Sequence, residues 1–199
     1  MSTDLEKKSS GAPVVDEQTA ETPAEFESSD AALSGWRFWS TMAGLYIGLF
    51  LVALEMTIVT TALVAITDDL RDFKHAAWIV NAYFLTWSGF LILWSQFSHI
   101  IGRKPSLLTA AAGFVIFSAA CGAAQTSTQL IIFRAFQGIA GAGLFSLPVV
   151  IVSETASPSA LPKYTALMAF VSVIAFAIGP LIGGAIASKT TWRWTFLLK

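Results

Sequence analysis

Five apolar blocks, at about residues 42–66, 76–97, 106–124, 130–152 and 165–187, leave this chain few ways to fold. At 1.5 Å per helical residue, a hydrocarbon layer of about 30 Å takes roughly 17 to 25 residues to cross. Each block reaches that length. The fold class that follows is an all-α integral membrane protein with about five transmembrane helices. The connections between blocks are short, at residues 67–75, 99–105, 125–128 and 153–163, and segments this tight are expected to make successive helices antiparallel neighbours.

Charge is distributed as this reading requires. Of the 199 residues only 13% are charged, against about 25% in a typical soluble domain. The acids Asp4, Glu6, Asp16, Glu17, Glu21, Glu25, Glu27 and Asp30 all fall in the N-terminal segment, so the remainder carries little charge. That segment is rich in Ser, Thr, Ala, Pro and Glu and has no apolar periodicity, which is the composition of a disordered tail over residues 1–35. A net charge of -1 without any Lys/Arg cluster excludes a nucleic-acid partner. Cys121 stands alone in an apolar run as a small packing residue. Tryptophans near the block ends (Trp36, Trp39, Trp78, Trp94, Trp192 and Trp194) read as interfacial belts, and the mid-span Trp87 reads as packing. Basic residues are balanced between the two sides, so charge counting does not orient the chain.

Two charges inside the apolar blocks stand out. Arg134 lies in the fourth block on one helical face with Gly138 and Gly141, and Glu55 lies near the middle of the first, on a face with Gly48, Val52, Val59 and Ala62. A guanidinium in hydrocarbon costs about 2.5 to 3.5 kcal/mol on insertion scales, so it must point into protein or a wet cavity and meet a counter-charge or carbonyls. Glu55 is the counter-charge this sequence offers. Burial favours the neutral acid and an approaching Arg134 favours the carboxylate, so a group between these influences can take up and release a proton. A static pair is the bland alternative. With Gln137 as a neighbouring amide, the two charges suggest a polar path through a membrane.

Three further motifs join them. Gly102-Arg103-Lys104-Pro105 is a tight basic turn, with Gly free to adopt a left-handed backbone and Pro suited to the first turn of a helix. The glycines Gly138, Gly141 and Gly143 let a neighbouring backbone approach closely, as do Gly44 and Gly48 in the first block. In the fifth block, Gly179-Pro180-Leu181-Ile182-Gly183-Gly184 joins a proline to a small-residue face.

In order and spacing these motifs resemble the major facilitator superfamily, and within it the drug:proton antiporter branch of fourteen-span, fungal-type efflux pumps. The resemblance covers residues 44–199. Leu54-Glu55-Met56-Thr57-Ile58-Val59 is similar to the first-span motif, with Glu55 where the family usually has Asp. Arg134, Gln137, Gly138 and Gly141 match the fourth-span motif associated with proton coupling, and Gly179, Pro180, Gly183 and Gly184 match the antiporter signature. Gly102, Arg103 and Lys104 resemble the end of the gating-loop motif, in which His99 stands where the family has Asp and Ser95 where it has Gly. Thr191-Trp192-Arg193-Trp194 is similar to the opening of the sixth span.

The resemblance implies the N-terminal part of a major facilitator fold, five helices and the start of a sixth, with residues 36–199 as an incomplete N-terminal bundle. It implies a cytoplasmic N-terminus and proton-coupled efflux of small organic molecules; the plasma membrane is taken as the location, with the vacuolar membrane as the alternative. The expected partners are the lipid bilayer, protons, an unknown small-molecule substrate and a missing C-terminal half; no cofactor, metal or enzymatic activity is expected. Because alternating access rocks one bundle against another, the chain is expected to be a truncated product or incomplete gene model, inactive alone, with Glu55 and Arg134 exposed to lipid or a partner. A non-transporting membrane remnant is the alternative.

Overall fold

The computed structural model describes residues 36–189 and 191–197. The expected tail at residues 1–35 lies outside the described residues. Among the described residues six α-helices follow in order: α1 (Trp36–Asp69), α2 (Ala76–Ile101), α3 (Arg103–Ala123), α4 (Ser127–Thr155), α5 (Leu161–Lys189) and the short α6 (Trp194–Leu197), with a 3-10 turn at Phe73–His75 before α2. Five of them are long and apolar enough to cross a membrane. Each begins or ends a few residues beyond the apolar block that marks it.

Local chemistry sets these boundaries. In α1 the hydroxyls of Thr57, Thr61 and Thr67 donate back to the carbonyls of Leu54 (3.1 Å), Ile58 (2.8 Å) and Leu63 (3.0 Å), so they need no partner outside the helix. α1 ends in a turn where Arg71 has φ 51°, and His75 Nδ1 lies 2.8 Å from Asp72 Oδ2. That contact holds the Asp72 carboxyl below its ordinary range. Between α2 and α3 the whole connection is Gly102, at φ +102°, a backbone region open to glycine and strained for other residues. Pro105 falls in the first turn of α3, where its missing N–H costs nothing. Residues 127 and 128, expected in a loop, belong to the first turn of α4: Thr126 caps it by accepting from Gln129 N at 3.3 Å, and Gln129 Oε1 accepts from Gln125 N at 3.2 Å.

Packing departs from the expectation of successive neighbours. The most extensive interfaces join α2 to α4 and α1 to α5, with α3 against α4 next; α2 meets α3, and α4 meets α5, over much less. Residue pairing gives the directions. Gly138 meets Thr86 and Tyr83 while Gly143 meets Trp94, so α2 and α4 run parallel; Gly179 meets Thr57 and Gly183 meets Thr61, so α1 and α5 do too. The reason is the glycine faces, which bring these particular helices closest regardless of chain order. Gly44 and Gly184 do not share that role, since a Cβ at either would meet nothing within 4 Å; a Cβ at Gly48 would touch Leu144 at 3.4 Å.

The aromatic belt needs correction at two positions. Trp39, Trp78 and Trp194 are exposed, but Trp94 donates its indole N–H to the Ile139 carbonyl at 2.7 Å and wedges against Gly143. Trp192 is buried and donates to Asp69 Oδ2 at 2.8 Å. Both sit where an indole can bury its ring and still satisfy its donor. Trp87 packs edge-on to Phe145, with ring centroids 5.3 Å apart. The side chain of Trp36 lies outside the described residues.

A Cβ at Gly138 would lie 2.4 Å from the Tyr83 carbonyl oxygen, a backbone atom that cannot rotate away. Gly138→Ala should therefore lower stability by about 1 to 3 kcal/mol, as overpacking does, whereas Gly184→Ala should leave it unchanged. Thermal unfolding of the two variants in the same detergent checks the contrast.

Candidate functional site

Four helices deliver side chains to one interior point. α1 contributes Glu55, α4 contributes Arg134 and Gln137, α2 contributes Ile79 and Tyr83, and α3 contributes Cys121. Glu55 and Gln137 are fully buried, and Arg134 is 1% exposed. The expectation that this chain leaves Glu55 and Arg134 open to lipid or a partner is therefore corrected. Their own bundle encloses them, because the faces that carry them turn inward along with the glycines.

The geometry satisfies the cation in several ways. Arg134 Nη1 donates to Glu55 Oε1 at 2.5 Å and to Gln137 Oε1 at 2.9 Å, and Nε donates to the Ile79 carbonyl at 3.3 Å. Cys121 Sγ donates to the same Gln137 oxygen at 3.5 Å. The guanidinium carbon stands 4.4 Å from the centre of the Tyr83 ring and 5.8 Å from that of Phe196. Charge-assisted hydrogen bonds of this kind are short and strong, and in a medium this dry they are the condition for keeping either charge.

Apolar groups seal the pair from both ends. On one side Val59, Ala62, Ile66, Ile79, Leu130, Trp192 and Phe196 form a single cluster; on the other Val52, Phe114, Ala140, Leu144 and Leu147 form a second. The start of the sixth helix closes the first side, with Ser118 Oγ donating to the Phe196 carbonyl at 2.8 Å. Gly122 makes room there, since a Cβ would press on Leu197 at 3.3 Å.

The basic turn forms a separate site at the far end. Arg103 Nε donates to Glu154 Oε2 at 2.8 Å and its Nη2 to Glu154 Oε1, a bidentate pair that ties the α2–α3 corner to the end of α4. Its Nη1 donates to Ser98 Oγ, and His99 Nδ1 lies 3.1 Å from Nη2. Gly102 is the corner itself, and Lys104 continues into α3. Gly179 and Gly183 lie in the α1–α5 interface, where a Cβ would fall 1.8 Å from Thr57 Oγ1 and 2.1 Å from Thr61 Oγ1; α5 runs through Pro180 without a break.

Sequence reasoning assigned no role to Glu154, Tyr83 or Asp69. Glu154 could have been paired with Arg103 as the acid just after the fourth block, but the other two read as ordinary span or loop residues until the helices are assembled.

The Arg103 pair generates a testable expectation. Glu154→Gln should raise amide exchange at the α2–α3 corner several-fold, by removing a charged partner from a bidentate contact, and the reciprocal swap Arg103→Glu with Glu154→Arg should restore protection. Hydrogen exchange read by mass spectrometry checks both.

Comparison with known proteins agrees with this architecture. Residues 45–198 match the Major Facilitator Superfamily. The chain is 44% identical over 163 residues to the MFS-type transporter FPY5 of Fusarium mangiferae, covering 82% of this chain and 27% of that protein. It is 38% identical over 179 residues to the MFS-type transporter TwmF of Talaromyces wortmannii, covering 88% of this chain and 33% of that one. It is 36% identical over 165 residues to the MFS-type transporter VdtG of Byssochlamys spectabilis, covering 83% and 30%. These relatives are MFS-type transporters, and the chain spans about a quarter to a third of their length. With an extended family match laid over five apolar spans, the chain belongs to the major facilitator superfamily and carries the N-terminal part of its fold as an integral membrane protein.

Proposed function

We propose that residues 36–199 form the N-terminal bundle of a proton-coupled exporter of small organic molecules, drugs or secondary metabolites, in the plasma membrane with the N-terminus and the Gly102 corner on the cytoplasmic side. The missing partner in this reading is a C-terminal half, which supplies the other wall of the substrate path. Lipid, protons and a substrate of still unspecified structure complete the set.

The observation that carries the reading is the enclosed pair of Glu55 and Arg134. Fixed packing does not call for a buried ion pair, since apolar residues of similar volume do as well or better. What an acid at this position adds is a charge that can be switched. The pair also bridges two groups of helices: α1 with α5, locked by Thr57 and Thr61 against Gly179 and Gly183, and α2, α3 and α4, locked by Gly138, Gly141 and Gly143. Protonation of Glu55 removes the charge that draws α1 toward α4. The α1–α5 unit is then free to shift against the other three helices, and deprotonation restores the contact. In a transporter that rocks two bundles around a central site, such a shift couples proton movement to the change of access. The basic corner at His99, Gly102, Arg103 and Lys104, tied to Glu154, is read as the gate on the cytoplasmic face.

In the full-length transporter carrying this segment, Glu55→Gln should keep the protein folded and flatten the pH dependence of substrate export in reconstituted vesicles. An unchanged pH profile removes Glu55 from the proton path. Arg134→Ala is a harsher change, because it leaves Glu55 buried without its cation, a loss of about 3 to 5 kcal/mol when one partner of a buried pair is removed. It should lower folded yield as well as coupling, and restoring yield by adding Glu55→Gln should not restore pH-dependent export.

A further inference from the structure

Tyr83 is fully buried, and its ring covers the Arg134 guanidinium at 4.4 Å. Its hydroxyl does not explain the placement: that oxygen meets no hydrogen-bond partner among the described residues. The ring is placed by glycines. A Cβ at Gly138 would lie 2.4 Å from the Tyr83 carbonyl oxygen and one at Gly141 would lie 2.6 Å from its hydroxyl, so these two positions must stay bare for α2 to bring the ring to Arg134. The edge of Phe84 backs it, with ring centroids 5.8 Å apart.

We propose that Tyr83 is a positioning residue for the proton cycle: the face of its ring holds the Arg134 side chain in place during the interval when Glu55 is protonated. This rests on the reading of Glu55 as an acid that exchanges a proton. A buried guanidinium that loses its carboxylate must either move to water or be held by uncharged groups. Here the uncharged groups are in place: the Ile79 carbonyl, the Gln137 oxygen and the Tyr83 ring, whose negative face attracts a cation without carrying a titrating charge. The other titratable groups near the cation are Glu55 from α1 and Cys121 from α3, the latter bonded to Gln137; α6 adds the ring of Phe196. Holding Arg134 still means that Glu55, on losing its proton, finds its partner where it left it.

The test follows the accessibility of Arg134, with the full chain in lipid nanodiscs treated with phenylglyoxal and adduct at Arg134 read by peptide mass spectrometry. Glu55→Gln stands in for the protonated acid. Arg134 should stay protected in Glu55→Gln, in Glu55→Gln with Tyr83→Phe, and in Tyr83→Met alone, while Glu55→Gln with Tyr83→Met should label about tenfold faster. Tyr83→Leu serves as a second aliphatic replacement should the Met variant not fold. Labelling in Glu55→Gln alone, no acceleration in the aliphatic double variants, or labelling in Tyr83→Met alone would each overturn the proposal, the last by making Tyr83 a packing residue. The premise is read separately, as an infrared protonated-carboxyl band that disappears in Glu55→Gln. If that band is missing throughout the pH range in which the chain stays folded, Glu55 leaves the proton cycle whatever the labelling shows.

Discussion

The contact between Glu55 and Arg134 organises the rest of this bundle, because a charge at this depth must be met by a counter-charge or by groups that take up its hydrogen bonds. Bringing them within 2.5 Å requires α1 and α4 to meet face to face. It also requires α2 to lie close enough for the Ile79 carbonyl and the Tyr83 ring to complete the surroundings of the cation. The glycines of α4 are the means. Each removes a side chain that would hold α2 or α3 away, so the stripe of small residues and the ion pair are two parts of one arrangement.

The same logic divides the bundle into two groups. Thr57 and Thr61 close on Gly179 and Gly183 with their hydroxyls already satisfied inside α1, and Tyr46 Oη donates across the same α1–α5 interface to the Tyr164 carbonyl at 3.4 Å. The α2, α3 and α4 group is fastened at one corner by Gly102 and by Arg103 on Glu154. Between the groups, the buried ion pair of Glu55 and Arg134 joins α1 to α4. The start of the sixth helix, docked through Trp192 on Asp69 and Ser118 on Phe196, closes one side above them.

Helix number, helix type and the meeting of Glu55 with Arg134 were legible in the sequence, since span length and the cost of an isolated intramembrane charge are one-dimensional constraints. Gly102 marked a real boundary for the same reason: turn chemistry is local. Helix neighbours were not legible. Short loops suggested that each span packs on the next, but loops constrain only chain ends, whereas the pairing of α1 with α5 and α2 with α4 is set by which faces carry glycine. Trp94 and Trp192 misled because position near a span end says nothing about whether an indole finds a carbonyl or a carboxylate inside. Tyr83 carried no signal, as an aromatic residue in an apolar block is ordinary. The enclosure of the charges was missed because exposure was inferred from the role of a cavity wall, and not from the faces that α1, α2 and α4 turn toward one another.

The sequence distance between the two charges has a consequence for biosynthesis. Glu55 precedes Arg134 by 79 residues, and three spans must leave the ribosome before the guanidinium arrives. During that interval the first span enters the bilayer carrying an acid with no cation to receive it. Until α4 docks, the acid lacks the buried partner that encloses it in the finished bundle, so the interior site is completed only late in synthesis.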